Sequence, residues 1–255
     1  MATNFTTQSL QDLLSFPFKA PDGKKKLLIA GLIDLAGFII PILPGLFLIG
    51  YGGLMMRRII RENGEPVLPE WTEWNDMLVL GLKLGAAGFI YSFPALAIMM
   101  LGYMGMLIPA FVEMISGADR YQSFAPMIGI QLAGSFGGLA CFGLGMLFFI
   151  AAAAVLPPVL AHVAATNSFA SAFRVREWWK IFRANMGGFV VAMILTAGLY
   201  MVMVLASQIL YFTIVLCILI PFLFAFVFAY LLIIADVLFA QAYKEATEKL
   251  AVPVG

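Results

Sequence analysis

Ionisable side chains inside long apolar runs are the residues of this 255-residue chain that could do chemistry. Asp34 lies midway along residues 27–40, Lys83 lies near the start of another apolar run, and Asp236 lies near the end of the last. Inserting a charged side chain into a membrane helix costs roughly 2.5–3.5 kcal/mol, so each such charge is a functional candidate. We expect Asp34 and Lys83 to form an ion pair that joins two spans, while ion or substrate contact remains the alternative.

Sequence motifs for catalysis are lacking. His162 follows two prolines and has no Ser or Cys partner motif, and the chain contains no GxSxG, Walker or HExxH pattern. Glu113 and Asp236 lie near the ends of apolar runs, where water can reach them. Cys141 and Cys217 lie inside apolar runs without a CxxC spacing, so we predict neither a metal site nor a cofactor. An enzyme is therefore not expected.

All four tryptophans lie in two polar passages, the first at residues 62–76 and the second at residues 174–183. An indole ring has a flat apolar body and one N–H donor, which suits the headgroup level of a bilayer. We therefore predict that both passages anchor the chain at the membrane surface, with docking of a partner or lipid as the alternative. The candidate interfacial or docking residues are Trp71, Trp74, Trp178, Trp179, Arg57, Arg58, Arg61, Arg174 and Arg176.

The first passage also predicts a helix start. Pro69 suits the first turn of a helix, and Glu70 and Glu73 then lie where the helix dipole favours negative charge. Trp71 and Trp74 would share one face of this helix. The second passage repeats the amphipathic pattern with basic residues, so the acidic first passage could pair with it.

Composition identifies the class of protein. The chain is 63% hydrophobic and only 11% charged, with a mean hydropathy of +1.00, whereas soluble domains are about 25% charged. The apolar segments are long and helical in texture, which indicates an all-α, polytopic transmembrane bundle. A net charge of +1 gives no field that would attract nucleic acid.

The apolar runs predict about six spans. Residues 78–116 and 126–165 are each too long for one straight span. If each is one span with a kinked or extended end the count is six, whereas two hairpins there would raise it to about eight. The loop 117–125 would be external in the six-span arrangement and cytoplasmic in the other. Gly81, Gly85, Gly134 and Gly138 form small-xxx-small faces that predict close helix packing.

The domain organisation follows from these runs. We expect an N-terminal segment 1–26 with an interfacial helix near residues 6–16, one membrane domain 27–238, and a tail 239–255. A shift of 104 residues superimposes the two passages and predicts parallel repeats, at about 27–116 and 126–238. Lysines and arginines flank the spans in loops that should share one side, so both termini are expected in the cytoplasm.

Three stretches carry a resemblance to a known family. They are FPFKAPDGKKKLLIAGLI, GYGGLMMRRIIRENGEPVLPEWTEWNDMLVLGLKLG and SAFRVREWWKIFRANMGGFVVAMIL. With its Arg-rich helix end, its G-E-x-x-x-P-E-W-x-x-W passage and the following G-L-K, the chain resembles the prokaryotic membrane family known as domain of unknown function 4013. The resemblance implies a bacterial or archaeal multi-pass protein of the cytoplasmic membrane, and it transfers no catalytic residue.

Two functions remain open from the sequence. The first is a non-enzymatic accessory, assembly or docking subunit, which would contact the lipid bilayer, a membrane-protein partner or further copies of itself. The second is a small transporter or channel, supported by the broken apolar runs and the intramembrane charges.

Overall fold

The computed structural model describes residues 7–62, 66–116, 124–211 and 219–251. These segments form eight α-helices and one short 3₁₀ turn at Phe169–Phe173. The helices are α1 Thr7–Lys19, α2 Gly23–Ala36, α3 Leu43–Arg61, α4 Trp74–Ser116, α5 Phe124–Thr166, α6 Val175–Ala184, α7 Met186–Tyr211 and α8 Ile220–Ala251. The all-helical prediction is confirmed, and α1 occupies the position predicted for an N-terminal amphipathic helix.

Five of the described helices are long and apolar enough to cross a membrane, namely α3, α4, α5, α7 and α8. The predicted count was about six. The missing span is the first, because α2 has only 14 residues, about 21 Å at 1.5 Å per residue, against a hydrocarbon core of about 30 Å. The chain leaves α2 at Ala36 and begins α3 at Leu43, so residues 27–40 do not form one spanning helix.

The two longest apolar runs do not break into hairpins. Helices α4 and α5 have 43 residues each, which corresponds to about 65 Å if they were straight. Pro94 and Pro109 lie inside α4, and Pro157 and Pro158 lie inside α5. A proline removes one backbone hydrogen bond, but neighbouring turns of an apolar helix continue, so the eight-span arrangement is wrong. Residues 117–123 of the predicted loop 117–125 lie outside the described residues.

The chain divides into two compact units, and the first comprises Met1–Ala87 with Pro157–Gly255. Helix α8 is at its centre, since α1, α2, α3, α6 and α7 all pack against it. From Leu231 to Ala246 most residues of α8 are buried, whereas Phe222 and Phe228 nearer its start are exposed. The tail predicted from residue 239 is therefore helical up to Ala251, and its part up to Ala246 is packed whereas residues 248–251 are exposed.

The second unit comprises Gly88–Leu156 and contains parts of α4 and α5. Gly102 of α4 lies so close to Gly138 and Phe142 of α5 that a methyl group would collide with backbone. Gly134 contacts Gly105 in the same way, which confirms the predicted close approach of these helices. Large apolar side chains, among them Phe93, Leu101, Phe136 and Leu147, are exposed, as lipid-facing residues are in a membrane protein.

Candidate functional site

The first tryptophan passage is not the helix that its sequence predicts. Helix α4 begins at Trp74, and residues 66–73 are non-helical. The backbone oxygens of Leu68 and Pro69 accept hydrogen bonds from the side chains of Lys26 and Tyr51. Because these carbonyls are engaged by side chains, tertiary contacts override the helix-start signal at Pro69.

Trp71 lies inside the protein rather than at its surface. Its ring stacks on Tyr51 with centroids 4.2 Å apart and an interplanar angle of 10°. The indole nitrogen donates to the Lys26 carbonyl at 3.1 Å, so the polar end of this buried side chain is satisfied. Trp74 differs, since it is 44% exposed and meets Phe47 edge-on at 5.5 Å.

The charges of the first passage are neutralised by the chain itself. Lys26, although buried, pairs with Glu70 at 2.6 Å and donates to the Leu68 carbonyl at 2.9 Å. Arg58 of α3 pairs with Glu73 at 2.7 Å. Among the described residues, Glu70 and Glu73 therefore pair with α2 and α3 and not with the second passage, while Glu65 lies outside the described residues.

The second passage forms helix α6, as its amphipathic pattern predicts. Its inward face carries Trp178 and Ile181, which are buried. The indole nitrogen of Trp178 donates to the Ala172 carbonyl at 3.0 Å. Asn185, directly after the helix, donates to the Ala242 carbonyl of α8 at 3.0 Å and accepts from Lys249 at 2.6 Å. These bonds fix α6 across the end of α8.

The outward surface of α6 has two chemically distinct stripes. At 100° per residue, one stripe is apolar and consists of Val175, Trp179 and Phe182. Val175 and Trp179 are 51% and 43% exposed, and Phe182 is half-buried. The neighbouring stripe is basic and consists of Arg176, Lys180 and Arg183, all exposed. In the described part of the chain none of these three bases pairs with a carboxylate, whereas Arg174 lies 3.6 Å from Glu177.

His162 acquires partners that its sequence context does not reveal. The ring Nδ1 lies 2.7 Å from the Tyr243 hydroxyl of α8, and Nε2 lies 3.2 Å from a Glu177 carboxylate oxygen of α6. The imidazole is buried and connects three helices. Tyr243 is 81 residues away in the chain, so no local spacing could have identified this cluster.

The predicted ion pair between Asp34 and Lys83 is wrong. Lys83 donates to the backbone and side-chain oxygens of Asn167, at 3.0 and 3.2 Å. Arg61 nearby donates to the Ala165 carbonyl. Arg61 therefore binds the last turn of α5 and Lys83 binds the residue after it, where carbonyl oxygens at a helix end lack backbone partners.

The two buried or half-buried aspartates lie in different surroundings. Asp34 borders an open cavity of about 380 Å³ whose other walls are mainly apolar, and burial raises the pKa of its carboxyl above the usual value. The expectation that water reaches Asp236 is wrong, because Asp236 is 7% exposed and packs against Gly52 of α3 so closely that a Cβ there would collide with its carboxylate. In the described part of the chain neither carboxylate pairs with a base.

The remaining candidates are placed by their helices. Arg57 lies in the last turns of α3 and Glu113 lies near the end of α4. Cys141 donates to the Ile98 carbonyl within the second unit, and Cys217 lies outside the described residues. Among the described residues, no group of three or more His, Cys, Asp or Glu side chains could hold a metal ion.

Long apolar helices and polar passages folded against helix ends define a membrane-embedded helical protein with several spans. A family model described as a protein of unknown function, DUF4013, matches residues 35–212. The chain therefore belongs to the DUF4013 family, in agreement with the resemblance of its motifs. Comparisons with curated proteins and with solved structures gave no match.

Proposed function

We propose that this protein is a non-enzymatic accessory subunit of the cytoplasmic membrane that docks on anionic lipid headgroups through α6. The observation that carries the proposal is the pair of outward stripes on α6, one apolar and one basic. Such a pairing is typical of helices that lie in the plane of a bilayer, with apolar side chains below the headgroups and bases among them. Both termini would then lie in the cytoplasm, on the side of the anionic leaflet.

The unpaired positive charges of α6 favour binding to an anionic lipid surface over a neutral one. Arg176, Lys180 and Arg183 have no internal carboxylate partner within the described segments, so their charges are available. Each base near an anionic membrane surface contributes about 1 kcal/mol of attraction. Trp179 lies beside them with its ring 5.4 Å from that of Phe182, which supplies an aromatic edge at headgroup level.

Hydrogen exchange in lipid nanodiscs tests the docking directly. The full chain would be placed in phosphatidylcholine nanodiscs, with and without phosphatidylglycerol, and exchange followed in peptides covering α6. We expect phosphatidylglycerol to slow exchange there by about fivefold or more, since one favourable base is worth about that factor. The variant with Arg176, Lys180 and Arg183 all changed to Gln should lose this difference.

A control variant removes a charge that pairs with the first passage. Arg58→Gln deletes one base that already pairs with Glu73, so it should leave the lipid effect on α6 unchanged. If the wild-type α6 exchanges equally in both nanodiscs, the docking proposal is wrong. Mild-detergent purification from the native membrane, with mass spectrometry of co-eluting proteins, then identifies the complex that the accessory subunit serves.

Transport is the second candidate, and the cavity at Asp34 favours it specifically. A half-buried carboxylate beside an open cavity of about 380 Å³ is a suitable contact for a cation or a polar solute. Reconstituted protein should then conduct or exchange a solute, and Asp34→Asn should abolish the flux without lowering the Tm. Lys83→Gln should not change the flux through an effect on Asp34, because Lys83 binds Asn167 and not Asp34. Absence of any flux in the wild type would remove this candidate.

A further inference from the structure

The first unit contains a second surface that could receive a lipid, distant in sequence from α6. An open groove of about 340 Å³ lies among α1, α2 and α8. Its walls are the apolar side chains of Phe18, Leu27, Leu28, Phe226 and Val227. A volume of this size is typical of small-molecule sites, which are mainly apolar with a few polar groups.

A hydrogen bond and a ring contact join α1 to α8 beside the groove. The Tyr230 hydroxyl of α8 donates to the Leu14 carbonyl of α1 at 2.7 Å. The ring of Phe18 lies 5.5 Å from that of Tyr230. These contacts place α1 as one wall, so the groove is formed by fixed elements rather than by a loop.

Among the described residues that line the groove, Lys24 supplies the one charged group. The lysines of this segment fall into two classes. Lys19 pairs with Asp12 at 3.3 Å and Lys26 pairs with Glu70 at 2.6 Å. Lys24 and Lys25, both exposed, pair with no carboxylate in the described part of the chain. The mouth of an apolar groove therefore carries an uncompensated positive charge.

We propose that this groove binds one anionic phospholipid, with an acyl chain along its apolar walls and the phosphate on Lys24. The apolar walls match hydrocarbon, and the unpaired ammonium group matches a phosphodiester. Phe18 and Leu28 are 53% and 52% exposed, so the groove opens onto surface that is itself apolar. The proposal rests on membrane embedding and not on the docking of α6.

Native mass spectrometry of the full chain in mild detergent tests the site. The experiment uses the variant that lacks the three α6 bases, so lipid bound at α6 does not enter the count. Phosphatidylglycerol and phosphatidylcholine with identical acyl chains are added separately. We expect one phosphatidylglycerol to be retained in preference to phosphatidylcholine, and an excess of inorganic phosphate should not displace it.

Two matched pairs of substitutions locate the lipid. Lys24→Gln should lower phosphatidylglycerol retention about fivefold, whereas Lys25→Gln removes an equally exposed charge outside the groove lining and should have little effect. Leu28→Trp fills the groove and should lower retention of both lipids. Leu32→Trp makes the same change on an exposed residue of α2 that does not line the groove, and retention should persist.

Three outcomes would overturn the proposal. Equal retention by the Lys24 and Lys25 variants would show general charge attraction. Retention by Leu28→Trp equal to that by Leu32→Trp would place the lipid elsewhere. Displacement of phosphatidylglycerol by inorganic phosphate would show that the site binds an anion and does not hold an acyl chain. Because the α6 bases are absent throughout, each of these outcomes leaves the nanodisc test of α6 independent.

Discussion

Each of the two tryptophan passages has one buried and one exposed tryptophan, but the passages differ in whether their charges are paired. In each, one tryptophan is buried and donates its indole N–H to a backbone carbonyl, Trp71 to Lys26 and Trp178 to Ala172. In each, the other is exposed, Trp74 by 44% and Trp179 by 43%. The first passage, however, is closed by ion pairs with α2 and α3, whereas the second presents unpaired bases.

This difference separates a structural role from a docking role. Charges that pair inside the chain contribute to the fold and are not available to a ligand. Charges that remain unpaired on a half-apolar helix cost little in water and can bind an anionic surface. We therefore propose that the charges of the first passage serve stability and that the bases of α6 serve recognition, and the substitutions below test the contribution of each to stability.

The largest effect should come from the buried tryptophans. Trp71→Ala and Trp178→Ala each remove a packed ring and a satisfied N–H donor, and we expect a loss of about 3–5 kcal/mol in the free energy of unfolding. The exposed partners Trp74→Ala and Trp179→Ala are matched controls and should cost about 0.5 kcal/mol. Thermal unfolding in detergent measures the stability of all four variants. Equal losses for the buried and the exposed tryptophan of one passage would contradict their different structural roles.

The second-largest loss of stability should come from removing a paired base, and removal of an unpaired base is the comparison. Lys26→Met removes a buried ammonium group together with its bonds to Glu70 and the Leu68 carbonyl, and should cost about 1.5–3 kcal/mol. Lys180→Met removes an exposed charge from α6 and should change stability by about 0.5 kcal/mol or less. Chemical denaturation of both variants provides the comparison. A similar loss for Lys180→Met would show that α6 is also held by its charges.

The sequence identified where these passages lie but not which tryptophan is buried. Composition established the all-helical membrane class, and the glycine spacing predicted the close contact that Gly134 and Gly138 make. Both tryptophans of a passage have the same local pattern, so depth could not be read from it. Burial of Trp71 depends on stacking with Tyr51, a contact made only once α3 has packed against the passage.

Long-range partners limited the remaining predictions. Asp34 and Lys83 have opposite charges in nearby apolar runs, which made their pairing plausible, yet Lys83 finds Asn167, 84 residues further on. The segment after α5 offers carbonyl oxygens without helical partners, and sequence alone does not show where that segment folds back. For the same reason, the partners of His162 became visible only with α8 in place.

A smaller effect should follow from uncoupling the second passage from α8. Tyr243→Phe removes the hydroxyl that lies 2.7 Å from His162 Nδ1, and should cost about 1 kcal/mol because a buried nitrogen loses its partner. Hydrogen exchange in α6 should accelerate, since His162 also contacts Glu177. Tyr103→Phe, on an exposed tyrosine of the second unit, is the control and should leave α6 unchanged.

The smallest effect concerns Asp34, a half-buried carboxylate on the helix that also carries the paired Lys26. Burial raises the pKa of the Asp34 carboxyl, so the folded state favours its neutral form and ionisation costs stability as the pH rises from the usual value of 3.8. Asp34→Asn should therefore raise the Tm slightly at pH 7, and the gain should shrink as the pH approaches 4. Asp76→Asn in the first turn of α4 removes a charge that the helix dipole favours, so it should not raise the Tm. If the gain in Tm from Asp34→Asn did not depend on pH, ionisation of the Asp34 carboxyl would not be its cause.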